Sequence, residues 1–352
     1  MKIFVTICLL LFSAVLLAQK QTYKTNITKN FPVSTTTTLF IENFNGDIEF
    51  ELWNQNQVEA SVTFEVNTPK AEKAKQFLQA FTLNAYADSN SVKFISLVNR
   101  DFLDKSFKNG RSDFKIHYHI KIPVYLNLNI KNKYGDIILA ETSGAIYIKL
   151  KYGKCTINHI TTDESKPIPQ IDLAYASFYV QKANWLTINA DYSVVKVNKV
   201  LGMTLQSNYS DVVVDDIYSL KITSNYDRIE LKNISKFYSN LNYSHVNIGF
   251  LKLELQATAK YSPIYIKDLY EEFTTLSCDL KYSDFTAKIN AQACFNINSE
   301  VQYGKNNLPR RSNVDNIITP TSMKTTGTVG CIKGATSQVN IVAKYGDVNF
   351  IE

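Results

Sequence analysis

A tyrosine recurs along the second two-thirds of this chain at a nearly fixed interval, and that regularity limits the fold more than any other feature. It stands at Tyr134, Tyr152, Tyr175, Tyr192, Tyr209, Tyr226, Tyr243, Tyr261, Tyr282, Tyr303 and Tyr345. The steps are 18, 23, 17, 17, 17, 17, 18, 21, 21 and 42 residues, the last equal to two steps of 21 with one tyrosine missing. The third residue after each tyrosine is apolar from Ile137 through Cys155, Phe178, Val195, Val212, Ile229, Val246, Ile264 and Phe285 to Val348, with Asn306 the exception. The fifth forms a second column that includes Leu139, Val197, Val214, Leu231 and Phe350. Two apolar columns two residues apart mark one face of a strand.

A second strand follows in the middle of the array at Leu186 and Ile188, Met203 and Leu205, and Leu220 and Ile222, with Ala183, Val200, Ile217, Ile234, Leu251 and Leu269 between the two. Strands this short bury nothing alone. If each stacks on its copy about 4.8 Å away, the columns fill a shared interior, and the result is a parallel β-helix of roughly a dozen rungs, a rod on the order of 55 Å. Steps of 17 to 18 residues are too short for a propeller blade of about 40, and the periodicity of helical repeats is absent. Val197, Val214 and Leu231 should then lie over one another.

The tyrosine is usually preceded by Asn, Asp or Lys and followed by Ser or Gly, which is the chemistry of a turn. Packing at that turn explains the column. The functional alternative is an exposed aromatic ladder that grips sugar rings.

Composition agrees with a β fold: 12 Gly, roughly 3% against an average near 7%, beside 21 Tyr and 20 Phe. Residues 1–18 read as a signal peptide, with Lys2, an apolar run from Ile3 to Leu17 and Ala18 before polar Gln19. No later segment reaches spanning length, so the mature chain is expected to be exported, to the periplasm, the outer-membrane surface or the medium, without a transmembrane segment. Without Lys2 the formal charge is +5, small and scattered, which does not support nucleic-acid binding. Cys155, Cys278, Cys294 and Cys331 show no C-x-x-C spacing and are read as buried free thiols, although export would allow pairing.

Residues 19–132 read as strands and a helix that cap the solenoid. Leu39, Ile41, Phe44-Asn45-Gly46-Asp47, Ile48, Phe50 and Leu52 resemble one further repeat, 90 residues before Tyr134. Thr68-Pro69 should start a helix with Ala71, Ala74, Leu78 and Phe81 on one face. Residues 133–352 form the β-helix repeats, with a polar loop at about 305–330.

The segment Ile41-Glu42-Asn43-Phe44-Asn45-Gly46-Asp47-Ile48, the helix after Thr68, Ile122-Pro123 with Leu126 and Leu128, and Tyr345-Gly346-Asp347-Val348 resemble the bacterial secreted putative-adhesin family, common in Bacteroidetes-type bacteria, over roughly residues 35–352. The resemblance implies an all-β, right-handed parallel β-helix and a domain of unknown function. It brings no catalytic or binding residues.

Outward-facing turn residues are where a catalytic pair would stand. Two residues after the tyrosines stand Asp136, Asp211, His245, Asp284 and Asp347, but the acids do not recur on adjacent turns. Asp215-Asp216 reads as a loop. His117, His119, His159 and His245 have no zinc spacing. No catalytic, cofactor-binding or metal-ligating residue is therefore assigned. The reading is an exported, non-catalytic surface whose partner is a glycan, an envelope component or a cell-surface protein. The alternatives are a carbohydrate-active lyase or hydrolase, for which only Asp211, His245 and Asp284 offer themselves, and a structural or signalling component of the envelope.

Overall fold

The structure is a computed structural model that describes residues 21–99, 113–162, 164–331 and 334–352. The signal peptide expected over residues 1–18 lies outside them. Among the described residues the protein is nearly all β: 26 strands share one hydrogen-bonded sheet, and Ala71–Ala80 forms a short helix.

Through the repeats, neighbouring units pair in parallel and residue for residue. Val197 lies beside Val214, and Val214 beside Leu231; none is more than 3% exposed. The columns three and five residues after the tyrosines face one continuous apolar core, as do Ala183, Val200, Ile217, Ile234, Leu251 and Leu269. In the central units one strand carries the arm after one tyrosine and the arm before the next, as in Val194–Asn208 and Asp211–Asn225. Asp215-Asp216 fall inside the second of these rather than in a loop, and Asp216 accepts a hydrogen bond from Asn233 Nδ2 at 2.7 Å.

Both ends depart from a simple stack, so the sheet is mixed rather than wholly parallel. At the N-terminal end, Thr38–Phe44 and Ile48–Leu52 form the rung next to that of Tyr134, with Phe44 beside Lys133 and Ile48 beside Ile137. The residue in the tyrosine's place is Asn45, one position on from the alignment on Phe44. Beyond this rung the same sheet continues: Asp113–Ile122 pairs in parallel with Ile48–Leu52, and Gln57–Thr68 pairs antiparallel with both Asp113–Ile122 and Gln21–Pro32. The chain returns on the other side of the first rung. The helix is shifted from its expected frame: Thr68 ends a strand, Lys70 stands at the N-cap, Phe81 opens the next strand, and the buried face is Ala74 and Phe77.

At the C-terminal end no tyrosine is missing. The 42-residue step arises because Ser337–Lys344 inserts between Thr275–Lys281 and Phe295–Gln302, pairing in parallel with both. The polar stretch expected as a loop at 305–330 is instead a hairpin of Ser312–Ile318 and Ser322–Val329, laid antiparallel on Phe295–Gln302. Its side chains are mostly polar, so no alternation announced it, yet its backbone pairs an edge that Phe295–Gln302 would otherwise leave open.

That hairpin also corrects the cysteine reading. Cys155 and Cys278 are buried free thiols, and burial pushes both upward in pKa. Cys294 and Cys331, by contrast, form a disulfide with a Cα separation of 5.5 Å. They meet because the antiparallel pairing sets Phe295 opposite Val329, a neighbourhood that sequence spacing does not encode.

Candidate functional site

Each of the eleven tyrosines sits at the turn with φ between 49° and 60°, and Asn45 with φ 61°. This left-handed conformation is uncommon for a bulky residue and costs energy at every turn. Its repetition aims every side chain the same way. The backbone register fixes the rest: Tyr192 N donates to Asn208 O, Tyr209 N to Asn225 O and Tyr226 N to Asn242 O, at 2.9–3.0 Å. The rings therefore stack, with centroids 4.7–5.2 Å apart and planes within 11° of parallel. Favourable ring pairing of about 0.5–1.5 kcal/mol per contact offsets part of a backbone cost of about 1–3 kcal/mol per residue. The order in space runs from Tyr134 to Tyr282, then Tyr345, then Tyr303.

The column spans ten steps, about 49 Å, and its members are 39–55% exposed. It is thus a surface ladder, not turn packing that buries the rings. Yet it does not grip sugar rings by stacking, because each interior ring has both faces covered by its neighbours. What it offers is ring edges and hydroxyls. At the open end of Tyr134, Lys133 Nζ lies 4.6 Å from the ring centroid. The Tyr261 phenol is pushed upward in pKa by desolvation and by its neighbours Tyr243 and Tyr282.

Beneath the ladder, the residue after the tyrosine holds adjacent turns together. Ser210 Oγ accepts from Ser193 N at 3.0 Å, Ser262 Oγ from Ser244 N at 2.9 Å and Ser283 Oγ from Ser262 N at 2.9 Å. Towards the two ends, the next residue along supplies an Asp instead: Asp136 Oδ1 accepts from Lys154 N and Asp284 Oδ1 from Asp347 N, each at 2.8 Å. At Gly135 on such a turn, a Cβ would stand 1.9 Å from Gly46 O, so only glycine fits.

Asp227 is the exception in the serine column. It is buried, and its carboxylate accepts from Ser207 Oγ, Ser224 Oγ and Ser210 N. Burial raises its pKa above the ordinary 3.8, while these hydrogen bonds pull the other way. A folded-state pKa above the unfolded value gives stability that is present below the unfolded pKa and lost as pH rises through the folded one. Relative to Asp227→Asn, the natural protein should therefore lose stability as pH rises above about 4. Urea midpoints at several pH values measure this; a constant difference between the two proteins would refute the assignment.

Beside the ladder, on its preceding arm, Asn225 Nδ2 donates to Asn208 Oδ1 and Asn242 Nδ2 to Asn225 Oδ1, at 2.9 and 3.4 Å. The same outward face carries a groove of about 690 Å³ lined by Tyr238, Asn240, Gln256, Thr258, Asn298 and Asn340. Tyr238 Oη donates to Glu254 Oε2 at 2.8 Å, and desolvation with that bond pushes its pKa up to about 12. A second cleft, of about 620 Å³, lies where the 23-residue step adds chain, between Ile168, Leu201 and Trp185, whose indole lies over Gly202.

The sequence-level acid candidates are not assembled. Arg228 stands in register between Asp211 and His245, and its Nη2 pairs with Asp211 Oδ1 at 3.1 Å. Asp284 lies two rungs beyond His245 and holds the Asp347 amide. Among the described residues no group of three His, Cys, Asp or Glu is placed to hold a metal ion, and no helix is long and apolar enough to cross a membrane.

No family model and no curated protein matches the chain. Solved structures do match over 93% of it. They include a putative adhesin from Parabacteroides merdae (12% identity, 96% of that chain, TM-score 0.31), and a putative lipid binding protein from Parabacteroides distasonis (8%, 97%, 0.30). A putative adhesin from Bacteroides fragilis matches at 11%, over 97% of that chain, with TM-score 0.27. At such identities and scores these are likenesses only.

Proposed function

We propose that this is an exported, non-catalytic, adhesin-like protein that presents a rigid surface to a glycan, an envelope component or a protein partner, and that its repeat region winds as a right-handed parallel β-helix. The observation that carries the reading is the tyrosine edge: about 49 Å of stacked, hydroxyl-bearing rings with centroids 4.7–5.2 Å apart, held by in-register backbone pairing. A rigid periodic surface binds by summing many weak contacts along one line without paying to order loops. The Cys294–Cys331 disulfide supports an oxidising compartment.

The test is to screen the purified protein against a glycan array and a panel of soluble polysaccharides, measuring both retention and new reducing ends. Binding without turnover is the expected result. New reducing ends would favour the enzyme alternative, and silence in both assays would remove the binding reading.

A further inference from the structure

The residue just before each tyrosine forms a column along the ladder whose charges are grouped. From the N-terminal end it reads Lys133, Lys151, Ala174, Asp191, Asn208, Asn225, Asn242, Lys260, Lys281, Lys344 and Gln302. Lys133 and Lys151 are in register, and so are Lys260, Lys281 and Lys344, each about 4.8 Å from the next along the stack. Like charges set directly opposite across strands destabilise a sheet. The fold does not require them, since three consecutive units carry Asn at this position. Nor are they neutralised by the described residues: among these, none of the five ammonium groups has a carboxylate within 4.0 Å, whereas Lys131, two residues further from the turn, pairs with Glu42 at 4.0 Å. Lys133, Lys260 and Lys344 lie 4.6, 5.8 and 5.4 Å from the ring centroids of their own tyrosines, a partial compensation that Lys151 and Lys281 lack.

We infer that this edge is a two-ended anion clamp whose ligand is a linear anionic polysaccharide lying along the ladder. This rests on the binding reading above and names its ligand class. The two lysine groups are six rungs apart, roughly 29 Å, so one extended polymer can reach both. Between them, tyrosine hydroxyls and asparagine amides supply hydrogen-bonding groups suited to hydroxyl-bearing and carboxylate-bearing sugars, and the one carboxylate in the column, Asp191, accepts from Asn208 Nδ2 at 2.8 Å. The closed ring faces weigh against nucleic acid, whose bases bind single-strand sites by stacking on open aromatic faces, and against neutral glycans held by ring stacking.

The experiment measures affinity, by biolayer interferometry or calorimetry at 50 mM and 300 mM salt, for polygalacturonate, its methyl ester, dextran sulfate and dextran, and for phosphatidylglycerol vesicles. Three proteins are compared: the natural chain, the Lys260→Gln/Lys281→Gln/Lys344→Gln variant, and a charge-matched control, Lys196→Gln/Lys232→Gln/Lys267→Gln, altered at exposed lysines on the strands that follow the turn. The expected result is binding of a polyanion, weakened by salt, weakened at least tenfold in the ladder variant and less than threefold in the control. Equal losses in both variants would overturn the clamp, as would vesicle binding without polysaccharide binding, or no binding of either polyanion at 50 mM salt. Equal affinity for the methyl ester or dextran would also overturn it while leaving the binding reading intact. Circular dichroism and melting of the ladder variant, which should be at least as stable as the natural chain once the repulsion is gone, separate loss of binding from loss of fold.

Discussion

Replacing Val214 by Asp is expected to destabilise the protein by more than about 3 kcal/mol, because it places an unpaired carboxylate in a column from which water is excluded. Val214 is fully buried and lies between Val197 and Leu231 in parallel register. The aspartate has no route to solvent within its own rung, since the neighbouring inward positions Val212 and Ile217 are buried as well. Stability in a stacked array is shared between adjacent units, so the loss should spread to both neighbours. Urea denaturation followed by tyrosine fluorescence and far-ultraviolet dichroism measures it. Val213→Asp, one residue away on the half-buried outward side, should cost far less, and a similar loss in both variants would contradict the inward assignment.

The second large effect concerns the C-terminal end. Substituting serine for both Cys294 and Cys331 is expected to cost about 3–4 kcal/mol on the chain-entropy model for a 37-residue separation. The loss should be local, since the disulfide ties the start of Phe295–Gln302 to the end of the hairpin laid on it. Limited proteolysis with trypsin reads this directly: Arg310, Arg311 and Lys324 lie in or beside the hairpin, and cleavage there should speed up in the variant and in the natural protein after reduction. Cleavage rates unaffected by either treatment would show that the backbone pairing suffices without the bond.

The columns after each tyrosine could be read from the sequence because inward-facing strand residues must be apolar, and their recurrence at 17 to 18 residues forces equivalent side chains into register. The order of rungs could not be read so simply. A period reports distance along the chain, whereas Tyr345 sits between Tyr282 and Tyr303 because the last rung fills a gap that the chain leaves as it passes from one to the other. The surface position of the ladder was hidden for another reason. Asn or Asp before the tyrosine and Ser after it mark a turn, but whether the ring folds over the core or points away depends on φ, and a left-handed tyrosine runs against ordinary preference. The hairpin at Ser312–Ile318 and Ser322–Val329 escaped because its residues are mostly polar and its stability comes from backbone pairing. The lysine column is plain once the units are aligned on the tyrosines, although the single chain shows it only as isolated charges.

The stacking itself is open to a distance measurement. Spin labels placed at Lys196 and, in turn, at Thr286, Asn349 and Asn307, each four residues after its tyrosine, lie five, six and seven rungs apart. Double electron–electron resonance should return about 24, 29 and 34 Å between backbone positions, in steps near 4.8 Å, with Asn349 closer to Lys196 than Asn307 is. Distances that fail to rise by a constant step, or an Asn307 label nearer than the Asn349 label, would contradict both the vertical register of the units and the insertion of the last rung.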